Sequence, residues 1–142
     1  MASHMQTERP KISLRMSDAD RLRNIAEAAS TKFPQVSDFL AQEIDRAEIL
    51  PDRGDLPDLV SMNSEVTFRD ETSGQERKVT LVYPQSADVD TGKISILTPI
   101  GTALLGLSAG QSMNWTSRDG RRHELAVLDV TIATPAETRE QA

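Results

Sequence analysis

At 142 residues, with 37% hydrophobic and 27% charged side chains, the chain has the length and polarity of one globular domain, or of one domain with a small appendage. Its net charge of −6 argues against nonspecific nucleic-acid binding, which requires clustered Lys and Arg. The absence of cysteine excludes disulfides and thiolate zinc sites, and no apolar run approaches the roughly 18 residues of a membrane span. A bacterial-type cytoplasm is the expected location.

Met1 to Met5 (MASHM) look like an expression-vector remnant, which leaves His123 as the native histidine candidate. Arg9 to Met16, with Pro10, reads as an extended start. Ser17-Asp18-Ala19-Asp20 then opens a helix with a capping residue and early acids, and Leu22, Ile25, Ala26 and Ala29 form its apolar stripe. Ser30 to Val36 breaks that helix, with Pro34 as the breaker. Ser37 is expected to cap a second helix, Asp38 to Leu50, with Leu40, Ile44 and Ala47 on one face and Pro51 as its stop. Two helices of about 20 Å each, at 1.5 Å per residue, make a short antiparallel hairpin over residues 9–50. Lys32, Phe33, Pro34 and Asp38 mark its tip.

Residues 51–59, rich in proline and aspartate, read as a linker. Beyond it hydrophobicity alternates, and strands are expected at Ser64–Arg69, Arg77–Tyr83, Lys93–Leu97, Gln111–Thr116 and His123–Thr131. Thr72-Ser73-Gly74, Asp90-Thr91-Gly92 and Arg118-Asp119-Gly120 supply turn chemistry between them. Thr98-Pro99 leads from the third strand into a short helix, Ile100 to Leu105, followed by a Gly106–Gly110 turn. The fold class is therefore α+β: a helical hairpin, then an antiparallel sheet with one short helix over residues 60–132, then a fraying tail over 133–142.

Catalytic chemistry finds no support in these residues. His123 and Asp129 share a strand face, but about 20 Å separates them at roughly 3.3 Å per residue, so His123 reads as a solvent-facing strand residue. Ser17, Ser37 and Ser108 lack a matched base. Asp52, Asp55 and Asp58 lack the Asp-x-Asp-x-Asp-Gly pattern and closing glutamate of a Ca²⁺ loop and read as solvated linker. No catalytic residue, metal site or cofactor is expected. One Trp, one Tyr and three Phe are too scattered to form a stacking platform for nucleic acid. On physics alone Thr98-Pro99-Ile100-Gly101 is a capped helix start packed on a sheet, with proline pre-organised at the first turn.

Four motifs in order carry a resemblance: Val60-Ser61-Met62-Asn63-Ser64, Thr80-Leu81-Val82-Tyr83-Pro84, Thr98-Pro99-Ile100-Gly101-Thr102-Ala103-Leu104-Leu105-Gly106-Leu107, and Trp115. This stretch resembles the C-terminal domain of Gre-type transcript cleavage factors and, within that superfamily, the family of the regulator of nucleoside diphosphate kinase. Asp45-Arg46-Ala47 echoes the end of that family's second helix. The resemblance implies an FKBP-like C-terminal domain and a shortened hairpin. It also implies docking on RNA polymerase at the secondary channel, through Thr98, Pro99, Ile100, Gly101, Thr102 and Ala103. Gre cleavage factors carry tip carboxylates that help hold a catalytic Mg²⁺; here the tip holds Lys32 and no acid before Asp38. The expectation is a noncatalytic regulator that competes with Gre factors, without membrane or sequence-specific nucleic-acid contacts. The alternatives are an active transcript cleavage factor or an FKBP-like peptidyl-prolyl isomerase. Gln111 departs from the family, which usually has an acid at that position.

Overall fold

The computed structural model describes residues 10–51, 59–117 and 119–132. The chain enters as a short strand, β1 (Ser13–Arg15), and passes directly into helix α1 (Met16–Ala29). Ser17 therefore lies inside the first turn instead of capping it. Arg15, held extended by its pairing with Leu50, occupies the cap position, and its side chain does not cap the helix. Of the predicted stripe, Leu22, Ala26 and Ala29 are buried and Ile25 is half-buried, and Ala19 is buried on the same face.

Helix α2 spans Pro34–Arg46, earlier than the expected Asp38–Leu50. Pro34 starts the helix instead of breaking it, because its missing N–H falls where no intrahelical partner exists. Ser37 is consequently not a cap but a buried residue whose Oγ donates to the Ala26 carbonyl at 2.5 Å, tying α2 to α1. The pairs Ala26–Ser37 and Arg23–Asp45 match earlier residues of α1 with later residues of α2. The helix ends at Arg46 because the next residues leave it for β2 (Glu48–Leu50), which pairs in parallel with β1. Pro51 thus follows a strand. The expected vector remnant, the acidic stretch Asp52 to Asp58 and the tail 133–142 lie outside the described residues.

The main sheet contains β3 (Ser64–Asp70), β4 (Glu76–Val82), β5 (Lys93–Ser95), β6 (Ser112–Thr116) and β7 (Arg122–Ile132), in the order β5-β4-β3-β7-β6. All five lie within two residues of the expected strands. One pairing departs from the antiparallel expectation: β5 runs parallel to β4, because residues 84–92 loop back through two 3₁₀ turns before β5 begins. A register shift between Thr67 and Phe68 bulges the β3–β7 ladder. That extra residue changes the facing of β7, so Val127 and Val130 are both buried while Leu128 and Asp129 are exposed. His123 and Asp129 accordingly do not share a face.

A short helix, α3 (Pro99–Leu104), crosses between β5 and β6. Its Ala103 and Leu104 join Val66, Phe68, Leu81 and Leu125 in a buried cluster that also takes in Leu22, Leu40 and Ile44 from the helices. One core thus holds the helical pair against the sheet. Gly106 permits the seam: its φ is +80°, and a Cβ there would sit 2.9 Å from the Ile12 Cβ. The Asp18 carboxylate adds a polar clasp, accepting from the Met62 N–H at 3.4 Å and the Tyr83 hydroxyl at 3.5 Å, with the Arg21 guanidinium 4.0 Å over the Tyr83 ring. Among the described residues, no helix is long and apolar enough to cross a membrane.

Candidate functional site

The turn from β5 into α3 is built by side chains that satisfy backbone groups. Thr98 Oγ1 accepts from the Gly101 N–H at 3.0 Å and donates to the Ser95 carbonyl at 2.7 Å, so one hydroxyl caps the helix and closes the preceding turn. Thr102 Oγ1, fully buried, donates to the Ile96 carbonyl at 2.9 Å. Gly101 lies so close to the chain that a Cβ would fall 2.4 Å from the Ser95 carbonyl oxygen. Of the six candidate docking residues, Gly101, Thr102 and Ala103 are buried, whereas Thr98, Pro99 and Ile100 are partly exposed. The motif therefore has an inner half that shapes the turn and an outer half that meets the surface.

The helix–helix turn lies beside that outer half. Phe33 precedes α2 in a non-helical conformation, its side chain 47% exposed, and its N–H donates to the Ala29 carbonyl at 2.8 Å. Lys32, Phe33 and Pro34 line one wall of a groove of about 550 Å³, and Pro99, Trp115 and Ser117 line the other. The structure thus brings the tip residues and the β5–α3 turn to a common surface. Asp38 is not part of it. It sits on the other side of α2, near Arg23 and Asp45, and its carboxylate accepts from Gln42 Nε2 at 3.5 Å.

A polar cluster missed in the sequence lies at the end of this groove. Strand pairing sets Trp115 opposite His123, and their rings stack with centroids 4.7 Å apart. His123 Nε2 lies 3.2 Å from Ser117 Oγ and Nδ1 lies 3.6 Å from an Asp70 carboxylate oxygen. His123 is therefore sheltered at 21% exposure and not solvent-facing. Ser117 also donates to the Asp119 carboxylate; that bond, then the Arg121 N–H, lowers the Asp119 pKa below its ordinary value. The signal was the tight Arg118-Asp119-Gly120 turn, whose register places positions 115 and 123 across from each other. Among the described residues, no group of three His, Cys, Asp or Glu side chains converges as a metal site.

Comparison with known proteins agrees with this layout. A family model described as "Rnk N-terminus" matches residues 10–50, and one described as "Transcription elongation factor, GreA/GreB, C-term" matches residues 55–132. The chain is 35% identical over 122 residues to the regulator of nucleoside diphosphate kinase of Escherichia coli K12, covering 86% of this chain and 90% of that one. The chain belongs to this family, within the Gre-type superfamily. It is also 30% identical over 125 residues to transcription elongation factor GreA of Azorhizobium caulinodans, covering 82% and 80% of the two chains. Among solved structures, a prokaryotic transcription elongation factor GreA/GreB from Nitrosomonas europaea matches with TM-score 0.67 and 42% identity, over 86% of this chain and 98% of that one. The bipartite family pattern coincides with the helical pair and the sheet that follows it.

Proposed function

We propose that this protein is a cytoplasmic transcription regulator that binds RNA polymerase at the rim of the secondary channel. There it competes with Gre cleavage factors without stimulating cleavage itself. In this reading the helices are a shortened antiparallel hairpin, the sheet is an FKBP-like docking domain, and no cofactor is required. The docking face is Thr98, Pro99 and Ile100, with Gly101, Thr102 and Ala103 holding its shape from inside. One observation carries the proposal: the tip at Lys32, Phe33 and Pro34 lies beside Pro99 and offers no carboxylate, while Asp38 faces elsewhere. A tip that shares a surface with the docking turn suits occupancy of a channel mouth. It does not suit delivery of a metal-binding acid to a distant active centre.

The test is binding of the fluorescently labelled protein to polymerase core enzyme, followed by anisotropy, with a Gre factor as competitor. Ile100→Asp should weaken binding at least tenfold; because Ile100 also packs against the core, the comparison is made at a temperature where urea unfolding shows the variant to be folded. Undiminished binding by this variant would remove the assigned face, and no binding by the parent would remove the polymerase proposal altogether.

A further inference from the structure

The two edges of the main sheet are treated differently. The outer edge of β5 is closed by its own chain: Asp88 N–H donates to the Lys93 carbonyl and Lys93 N–H to the Asp88 carbonyl, each at 2.9 Å. The outer edge of β6 carries no further strand among the described residues, although α3 packs close to β6. Natural sheets blunt such edges with charge, proline or a bulge. The sequence Ser112-Met113-Asn114-Trp115-Thr116 contains no charged residue and no proline.

The register tells which backbone groups are unused. Gln111 accepts from the Val127 N–H and Ser117 donates to the Arg121 carbonyl, both at 2.9 Å. Odd-numbered positions therefore bond to β7, and the N–H and C=O of Ser112, Asn114 and Thr116 point away from the sheet. All three residues are exposed. Asn114 and Thr116 line the groove of about 550 Å³, within the roughly 300–1,000 Å³ of ligand-holding pockets. Phe33, Val36, Phe39, Pro99 and Trp115 make the groove apolar, and Lys32 is its one charged lining residue, without an ion-pair partner among the described residues.

We propose that β6 receives an extended segment of a partner chain as a sixth strand. An apolar side chain of that segment sits against Phe39, Pro99 and Trp115, and a neighbouring carboxylate meets Lys32. Backbone pairing supplies the general affinity, and the pocket and the lysine select the sequence. The groove shares Pro99 and the Lys32–Pro34 tip with the face proposed for polymerase, so the two occupants exclude one another, and peptide binding is measured on the free protein, where it does not depend on the polymerase proposal.

Trp115 is the single tryptophan of the chain and lines the groove, so its fluorescence reports occupancy directly. The probes are heptapeptides alternating threonine with valine, isoleucine, leucine or phenylalanine, each with one aspartate, titrated into the full chain. At least one should give a saturable change, accompanied by shifts of the Asn114 and Thr116 amide resonances. Asn114→Pro removes an outward N–H that the ladder does not use, so the fold should persist while binding falls at least tenfold. Thr116→Pro serves if Asn114→Pro fails to fold, and Lys32→Glu should weaken aspartate-bearing peptides at least threefold. No saturable response from any peptide at millimolar concentration would overturn the proposal, as would unchanged binding by a folded edge-proline variant. Dimerisation of the parent that Asn114→Pro abolishes would make the occupant a second copy and overturn it equally.

Discussion

Replacing Gly101 with alanine tests how the β5–α3 turn is held. In an exposed helix this change would stabilise by about 1 kcal/mol through propensity. Here the new methyl would sit 2.4 Å from the Ser95 carbonyl oxygen, 2.8 Å from Thr98 Oγ1 and 3.2 Å from Leu81 Cδ1. Leu81 can give way by a small rotation, but the carbonyl belongs to the main chain and Thr98 Oγ1 is the helix cap. Relieving the overlap means moving α3 off the turn, at about 1–3 kcal/mol for overpacking, plus about 1 kcal/mol for the weakened cap. The net expectation is a loss of about 1–3 kcal/mol, measured by urea unfolding followed through Trp115 fluorescence. Polymerase affinity should fall as well, since the partly exposed Thr98–Ile100 segment shifts with the helix. A Gly101→Ala protein as stable as the parent would refute the close-approach argument.

Three further perturbations probe other joints. Glu43 is 1% exposed and receives the Arg46 guanidinium in two bonds, at 3.0 and 2.8 Å, while the same guanidinium donates to the Pro10 carbonyl at 2.6 Å. Arg46→Ala should cost about 1.5–3 kcal/mol by urea unfolding, because it removes charge-assisted bonds to a buried carboxylate. Tyr83 has its pKa pushed up to about 12, first by burial and then by the Asp18 charge. A folded pKa above the unfolded 10 stabilises below pH 10 and is lost as pH rises through 12. The stability of the parent relative to Tyr83→Phe should therefore fall by up to about 3 kcal/mol across that window. Thr102→Val removes the donor to the buried Ile96 carbonyl and should cost about 1–3 kcal/mol in the same urea assay.

Elements whose residues face one uniform environment were legible in the sequence. The five strands of the sheet and the capped start of α3 follow from alternation and turn chemistry, because those signals are local. The second helix was misplaced because Pro34 reads equally well as a breaker and as a first helical residue, and the choice depends on packing against α1. β2 escaped notice because three residues paired with β1 carry no period of their own. The burial of Thr102 was hidden for a related reason: a short helix shows its sequence but not which side faces the sheet. The Trp115–His123–Ser117 cluster depends on strand register. The bulge at Thr67/Phe68 then undid the simple alternation that put Asp129 on the same strand face as His123.

The most direct test of the central claim is RNA cleavage in purified backtracked elongation complexes, with a Gre cleavage factor present and this protein titrated in. Progressive loss of cleavage, with none when the protein acts alone, is the predicted result. Unaltered cleavage at saturating concentration, or cleavage stimulated by the protein itself, would contradict it.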